Sequence, residues 1–211
     1  MKTFSQEVHD YIERFVVRDD PILEEMERHA KEVNFPYIGP QVGRLLYVLS
    51  ISIRAKRILE IGSGFGYSAY WFCRAVGPEG EVILTEKDKH DADLAREYLT
   101  RAGFADRYRI FDGEADACLL SVPGEFDVIF IDGRKKEYPY YLDRTLSRLR
   151  VGGLLIADNV LWDGKVAFPP EEGDEDTKAI QDFNRAIFNE PRLCSTIISM
   201  RDGVSISVKL G

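Results

Sequence analysis

An apolar segment followed by a glycine-rich one occupies residues 57–68, which read Arg57-Ile58-Leu59-Glu60-Ile61-Gly62-Ser63-Gly64-Phe65-Gly66-Tyr67-Ser68. An apolar run as long as a buried strand is followed by three glycines and by a helix that starts at about Tyr67. Such glycines let the backbone turn sharply and let a ligand approach its amides. The segment predicts an open α/β sheet with a ligand at the carboxyl ends of its strands. For the glycines alone, a tight turn without a ligand is the alternative.

The sequence beyond this loop alternates short apolar runs with amphipathic segments. Strands are expected at residues 82–85, 109–111, 128–131 and 154–157, and helices at residues 91–102 and 138–149. This alternation predicts a doubly wound, Rossmann-like and mostly parallel sheet. Two last runs, 195–200 and 204–208, flank Arg201-Asp202-Gly203, whose Asp-Gly pair favours a tight antiparallel hairpin.

The first fifty residues have helical patterns and no strand. Val8, Ile12, Phe15 and Val16 fall on one face of a first helix. Asp20-Pro21 resembles an N-cap with a first-turn proline, and Pro40 opens a third helix. We therefore expect one domain over residues 1–211, with accessory helices in 1–50 and a Rossmann-like core in 56–211.

The composition of the chain predicts its type of partner, the state of its cysteines and its location. The formal net charge of -8 disfavours attraction to phosphate backbones, so a nucleic-acid partner is not expected. Three widely spaced cysteines suggest neither disulfides nor zinc, and reduced buried thiols are expected. Met1 to Glu7 is polar and lacks an apolar signal region, and no stretch is long enough to span a membrane. A cytoplasmic protein is expected.

An acidic residue supports a nucleoside ligand at the glycine loop. Glu86 ends the next strand, about 20 residues after the loop, where a carboxylate can accept both ribose hydroxyls. Tyr67 stands where a dinucleotide fingerprint has its third glycine, which argues against a pyrophosphate. Glu60 suits a cofactor with an ammonium and a sulfonium group. Glu114, Ala115 and Asp116 could reach an adenine edge, or could simply begin a helix.

Acidic and amide side chains also follow two later strands. Asp132 ends one strand, and Asp158 and Asn159 end another, so the three should converge at the edge that carries the glycine loop. Carboxylate and amide oxygens without His or Cys suit Mg²⁺. Capping roles for the two aspartates are the alternative. Lys135 lies in the same cleft, where a nearby metal could make it a usable base.

The sequence resembles class I methyltransferases, specifically the small bacterial form of the catechol and caffeoyl-coenzyme A O-methyltransferase family. The resemblance runs nearly end to end. It rests on Gly39-Pro40-Gln41-Val42-Gly43-Arg44-Leu45-Leu46, on residues 59–68, on Phe126-Asp127-Val128-Ile129-Phe130-Ile131-Asp132, on Asp158-Asn159-Val160-Leu161-Trp162 with Gly164 and Val166, on Thr177-Lys178-Ala179-Ile180-Gln181-Asp182-Phe183-Asn184 and on Asp202-Gly203-Val204.

This resemblance implies a seven-stranded methyltransferase sheet, S-adenosylmethionine as methyl donor, a catechol-like small molecule as acceptor and a homodimer. It implies a divalent metal, Mg²⁺ or another such as Mn²⁺ or Ca²⁺, at Asp132, Asp158 and Asn159, and a general base at Lys135. The expected cofactor contacts are Glu60, Gly62, Ser63, Gly64, Gly66, Tyr67, Ser68, Glu86, Glu114, Ala115 and Asp132.

Two departures from the family pattern bear on specificity. The family often has Asp-Ala-Asp-Lys where this chain has Asp132-Gly133-Arg134-Lys135, and Ser-Pro-Glu where it has Gly39-Pro40-Gln41. Arg134 therefore either favours an anionic substrate or faces solvent. Three other functions remain alternatives: methylation of a hydroxylated tRNA base, nucleoside binding without turnover, and an NAD-dependent dehydrogenase, which Tyr67 disfavours.

Overall fold

A seven-stranded sheet organises the computed structural model, which describes residues 6–16 and 19–211. The spatial order is β3-β2-β1-β4-β5-β7-β6. The first five strands are parallel, and β7 is antiparallel to both β5 and β6. The strands are β1 (Arg57–Ile61), β2 (Glu81–Glu86), β3 (Tyr108–Asp112), β4 (Phe126–Ile131), β5 (Leu149–Ala157), β6 (Leu193–Ile198) and β7 (Val204–Lys209).

Eight α-helices cover both faces of the sheet in the described ranges. They are α1 (Gln6–Glu13), α2 (Pro21–Glu32), α3 (Gly39–Ser52), α4 (Tyr67–Val76), α5 (Lys89–Arg101), α6 (Ala115–Ser121), α7 (Tyr138–Thr145) and α8 (Glu175–Asn189). Short 3-10 segments occur at Lys135–Glu137, Leu146–Arg148 and Trp162–Ala167. The strand order reverses between β1 and β4, and open α/β sheets bind their ligands at such a point.

Two hydrophobic cores lie on opposite faces because successive strand residues face opposite ways. On β1, Ile58 joins a core formed with α2, α3, α4 and α5, whereas Leu59 and Ile61 join a core formed with α6, α7 and α8. The two cores fix β1 and β4 rigidly, and with them the positions of the residues that follow these strands.

The predicted sheet and its antiparallel hairpin are confirmed, as are the Asp20 cap of α2 and the third helix at Pro40. The hairpin turn differs from the prediction. Five residues, 199–203, join β6 to β7, whereas the sequence predicted three, 201–203, between the two strands. The carbonyls of Asp202 and Gly203 instead accept hydrogen bonds from the amides of Leu161 and Val160. The loop is longer because it binds a neighbouring segment.

The first helix also differs from its prediction. It ends at Glu13, and most of the predicted apolar face is not buried: Ile12 is 46% exposed and Phe15 is 64% exposed. Val16 is buried but lies beyond the end of the helix. Residues 1–5 of the polar amino terminus lie outside the described part of the chain. Among the described helices, none has the length and apolar character needed to span a membrane.

The three cysteines are all free thiols. Cys73 and Cys118 are buried, as expected, but Cys194 is exposed. Its position on β6 explains the difference, because β6 forms the outer edge of the sheet and its residues alternate between the core and solvent.

Candidate active site

A cavity of about 550 Å³ lies at the carboxyl ends of the parallel strands, next to the point where the strand order reverses. Most of the residues singled out from the sequence line it. These are Gly62, Ser63, Gly64, Tyr67, Ser68, Glu86, Glu114, Ala115, Asp132, Lys135, Asp158 and Asn159. Glu60 and Gly66 are not part of the lining, although both were expected to contact a cofactor.

The glycine loop closes tightly on the end of β4. Gly62 has a φ of +83°, and a Cβ atom there would lie 2.7 Å from the carbonyl oxygen of Asp132. A side chain at position 62 would therefore push the loop away from β4. The Gly64 amide donates a 2.7 Å hydrogen bond to Glu86, which ties the loop to the end of β2. The other Glu86 oxygen accepts from the Asp88 amide at 2.8 Å.

Glu60, near the end of β1, contacts the start of α4 through Ser68. Its side chain is fully buried, and one carboxyl oxygen accepts a hydrogen bond from the Ser68 hydroxyl at the start of α4. The other oxygen has no hydrogen-bond partner among the described residues. Burial raises the pKa of Glu60 to about 8, and the nearby carboxylates of Asp132 and Glu86 act in the same direction. This shift favours the protonated form of Glu60 at neutral pH, and its hydrogen bond with Ser68 supports the helix start.

Asp132 and Lys135 meet inside the cavity because a single tight turn follows β4. The Lys135 ammonium lies 3.0 Å from a carboxylate oxygen of Asp132 and donates to the Tyr138 hydroxyl at 2.8 Å. Tyr138 is buried and donates in turn to the backbone carbonyl of Asp158 at 2.9 Å. Burial raises the pKa of Asp132, and the charge of Lys135 opposes this shift. The chain of contacts connects the end of β4 to the end of β5.

Asp158 and Asn159 complete the cluster from the end of β5. Asp158 is only 4% exposed, and its Oδ1 atom has no hydrogen-bond partner within the described residues. Burial and the neighbouring Asp132 carboxylate raise the pKa of Asp158 to about 7. Asn159 has a φ of +57° and its side chain bonds to Asp202. A buried carboxylate with an unpartnered oxygen, beside a second carboxylate, is an arrangement that a cation stabilises.

The candidate metal site has few ligand side chains. The described residues contain no group of three or more His, Cys, Asp or Glu side chains arranged to hold a metal ion. The candidate set therefore consists of two carboxylates and the Asn159 amide. These are hard oxygen donors, and a set of this size fits a cation that keeps several of its own waters, as Mg²⁺ does.

Two distant elements hold the segment that follows Asn159. The Asp202 carbonyl accepts from the Leu161 amide at 2.9 Å, which anchors the segment to the hairpin loop. From α8, Asn184 donates to the Val160 carbonyl at 2.8 Å and Gln181 donates to the Phe168 carbonyl at 2.7 Å. These contacts position Asn159 beside Asp158.

A family model described as O-methyltransferase matches residues 13–210. The chain belongs to the O-methyltransferase family. The catechol O-methyltransferase of Mycobacterium tuberculosis is 32% identical over 91% of this chain and 88% of its own length. The caffeoyl-CoA O-methyltransferase of Populus kitakamiensis is 30% identical over 80% of this chain and 76% of its own length.

The fold of this O-methyltransferase has a close counterpart among solved structures. The O-methyltransferase from Bacillus cereus in complex with SAH superposes with a TM-score of 0.89, at 31% identity, over 96% of this chain and 97% of that one. The predicted family and the seven-stranded methyltransferase sheet are therefore confirmed. The dehydrogenase alternative is wrong.

The methyltransferase cavity also contains residues that the sequence did not indicate. Phe35 and Tyr37, which follow α2, line it, as do Tyr141 of α7 and Arg201 of the hairpin loop. No motif marked these positions, because each reaches the cavity through the packing of elements distant in sequence. Trp162 also lines the cavity. Phe168 does not line it and is 68% exposed.

The two departures from the family pattern have different surroundings in this methyltransferase. Arg134 lies at the cavity wall but is paired with Glu114 at 3.3 Å and Glu137 at 3.2 Å. Gln41 is buried in α3 and is not part of the lining. The extra charge of Arg134 is therefore largely offset by its own neighbours.

Proposed function

We propose that this protein transfers a methyl group from S-adenosylmethionine to one hydroxyl of a catechol-like small molecule with the help of a divalent cation. One observation carries the proposal: Asp132, Asp158, Asn159 and Lys135 line the same cavity as the glycine loop and Glu86. Candidate groups for binding a donor, binding a cation and removing a proton are thus adjacent. The net charge of -8 favours a small acceptor over tRNA. A homodimer and a cytoplasmic location stay predictions.

The choice of donor is supported by the glycine loop and by the SAH-bound relative from Bacillus cereus. Each Glu86 oxygen accepts one backbone amide, and a carboxylate oxygen can accept a second hydrogen bond, here from a ribose hydroxyl. Glu114 and Ala115 line the next part of the cavity, where the adenine would lie. The loop, Glu86 and α6 would in this way bind successive parts of the nucleoside.

The cation would be held by the carboxylates of Asp132 and Asp158 and the amide oxygen of Asn159. A divalent cation at this position supplies Lewis acidity, which lowers the pKa of the attacked hydroxyl and orients a vicinal diol. Asp132 and Asp158 contribute by concentrating negative charge at a largely buried point. The unpartnered Oδ1 of Asp158 supports this assignment, because a buried acceptor without a donor is costly.

Lys135 would remove the proton of the attacked hydroxyl. Its Nζ lies within hydrogen-bond distance of both Asp132 and Tyr138, so its position is fixed before an acceptor arrives. An amine that transfers its proton to solvent regains the capacity to accept one from a phenol. Orientation by Asp132 and Tyr138 would keep Nζ directed at the reacting oxygen and raise the rate through proximity.

The test is methyl transfer from labelled S-adenosylmethionine to a simple catechol by wild type, Asp158→Asn and a matched control, Asp143→Asn. Asp143 is exposed on α7 and is not part of the cavity lining. Asp158→Asn should lose at least about 100-fold in kcat/KM while still binding SAH, and the control should keep its activity. Activity in Asp158→Asn that equals wild type and resists EDTA would contradict the metal role.

A further inference from the structure

Arg201 occupies a junction between two cavities. It lines the cavity described above and also a second one of about 320 Å³. Apart from Arg201, the second cavity is lined by Leu161, Asp163, Gly164, Val166, Ala167 and Asp202. Among the described residues, no other is shared by the two linings. The two cavities therefore adjoin at Arg201.

Arg201 differs from the other basic side chains of the main cavity. Among the described residues, Lys87 pairs with Glu114, Lys135 pairs with Asp132, and Arg134 pairs with two glutamates. Arg201 pairs with no described carboxylate. Its guanidinium donates a 2.6 Å hydrogen bond to the Tyr37 carbonyl and lies 5.9 Å from the centre of the Tyr37 ring. Its charge opposes the rise in the pKa of Asp132 and Asp158, but it makes no ion pair with either carboxylate. A cation with several remaining donors therefore lines the cavity.

The backbone holds Arg201 at this point against local preference. Its φ is +50°, a conformation unfavourable for residues with a Cβ atom, and such conformations are concentrated at functional sites. The opposite wall accommodates it: a Cβ atom at Gly39 would lie 2.3 Å from an Arg201 nitrogen. The absence of a side chain at the start of α3 makes room for the guanidinium over Tyr37.

We propose that Arg201 determines acceptor specificity by binding a carboxylate, so that the preferred substrate is a catechol that carries a carboxylate on its ring or on a short apolar side chain. The inference rests on the proposed function. Arginine suits this role because its planar donors match the two oxygens of a carboxylate. Leu161, Val166 and Ala167 give the second cavity an apolar wall that can receive such a side chain.

The test compares two acceptors that differ in charge and little in shape, 3,4-dihydroxybenzoate and 3,4-dihydroxybenzamide. Arg201→Gln should raise KM for the benzoate roughly 10- to 100-fold with little change in kcat, and should leave the benzamide nearly unaffected. Arg201→Lys should recover part of the preference, because it keeps the charge but not the planar donor set. Arg185→Gln is the matched control and should change neither acceptor, since Arg185 is exposed on α8, pairs with Asp182 and lines neither cavity.

Calorimetric binding of both acceptors to the SAH-loaded protein with Mg²⁺ separates this inference from the proposed function. Tighter binding of the benzoate, lost in Arg201→Gln, is the expected result. Equal binding of the two acceptors by wild type, no binding of the benzoate, or an equal loss of both in the variant would overturn the role of Arg201. Charge-selective binding without methylation of either compound would contradict the proposed function and leave the Arg201 site standing.

Discussion

Lys135 and Asp132 form an ion pair inside the cavity, with 3.0 Å between the ammonium nitrogen and a carboxylate oxygen and with side chains only 13% and 22% exposed. The candidate base and a candidate metal ligand are therefore in direct contact. Because the pair is shielded from water, the charge at one position affects the other more strongly than at an exposed site. Changes at either residue should alter both cation binding and proton removal.

Replacing Lys135 with methionine should lower kcat by about 10²- to 10⁴-fold, the usual contribution of a general base, with a much smaller change in SAH affinity. Lys135→Arg separates two roles. Arginine keeps the positive charge beside Asp132 but cannot accept a proton at accessible pH, so it should be as inactive as methionine. Lys136→Met is the matched control, since Lys136 is exposed and does not line the cavity. Substantial activity in Lys135→Arg would assign a purely electrostatic role.

Replacing Tyr138 with phenylalanine should uncouple Lys135 from the end of β5. The hydroxyl accepts from Lys135 and donates to the Asp158 carbonyl, so its removal leaves a buried carbonyl without its donor. We expect the free energy of unfolding to fall by about 1 to 2 kcal/mol. We also expect kcat to fall several-fold, with KM little changed. Chemical denaturation and steady-state kinetics measure the two effects. An unchanged kcat would show that Asp132 alone positions Lys135.

Glu86→Gln should weaken cofactor binding through the loss of charge on an acceptor. The amides of Gly64 and Asp88 use one lone pair of each oxygen, and an amide group can serve only one of them. We expect the Kd for SAH, measured by calorimetry, to rise roughly 10-fold or more. Glu81→Gln is the control, because Glu81 begins the same strand at its far end and pairs with Arg57. An equal effect of both variants would point to general damage to β2.

Much of the site could be predicted because topology fixes it. Parallel strands place their carboxyl ends at one edge, so Asp132, Asp158 and the glycine loop had to converge once the strands were recognised. The short turn between Asp132 and Lys135 leaves little freedom for the lysine. These relationships depend on residues close to strand ends.

The positions of Arg201 and Glu60 could not be predicted from the sequence. Arg201 reaches the cavity through a contact with Tyr37 across 164 residues, which depends on how the hairpin loop packs against the residues before α3. Glu60 was expected to contact the cofactor because it is acidic and precedes the loop. The side-chain alternation of β1 buries it beside Ser68 and outside the cavity lining, which depends on the packing of α4 onto the sheet. Its contact with the cofactor stays a prediction.

The buried carboxyl of Glu60 should make the stability of the protein fall as pH rises. Its pKa moves from an ordinary 4.5 to about 8, so between these values the folded protein holds a proton that the unfolded chain has released. Stability therefore falls by up to about 1.4 kcal/mol per pH unit across this window and becomes level above it. Glu60→Gln cannot ionise, so its free energy of unfolding relative to wild type should increase from pH 5 to pH 8, as measured by urea denaturation of the cofactor-free protein. Glu172→Gln, an exposed control, should follow wild type at every pH. A constant difference between Glu60→Gln and wild type over this range would mean that Glu60 is ionised in the folded protein.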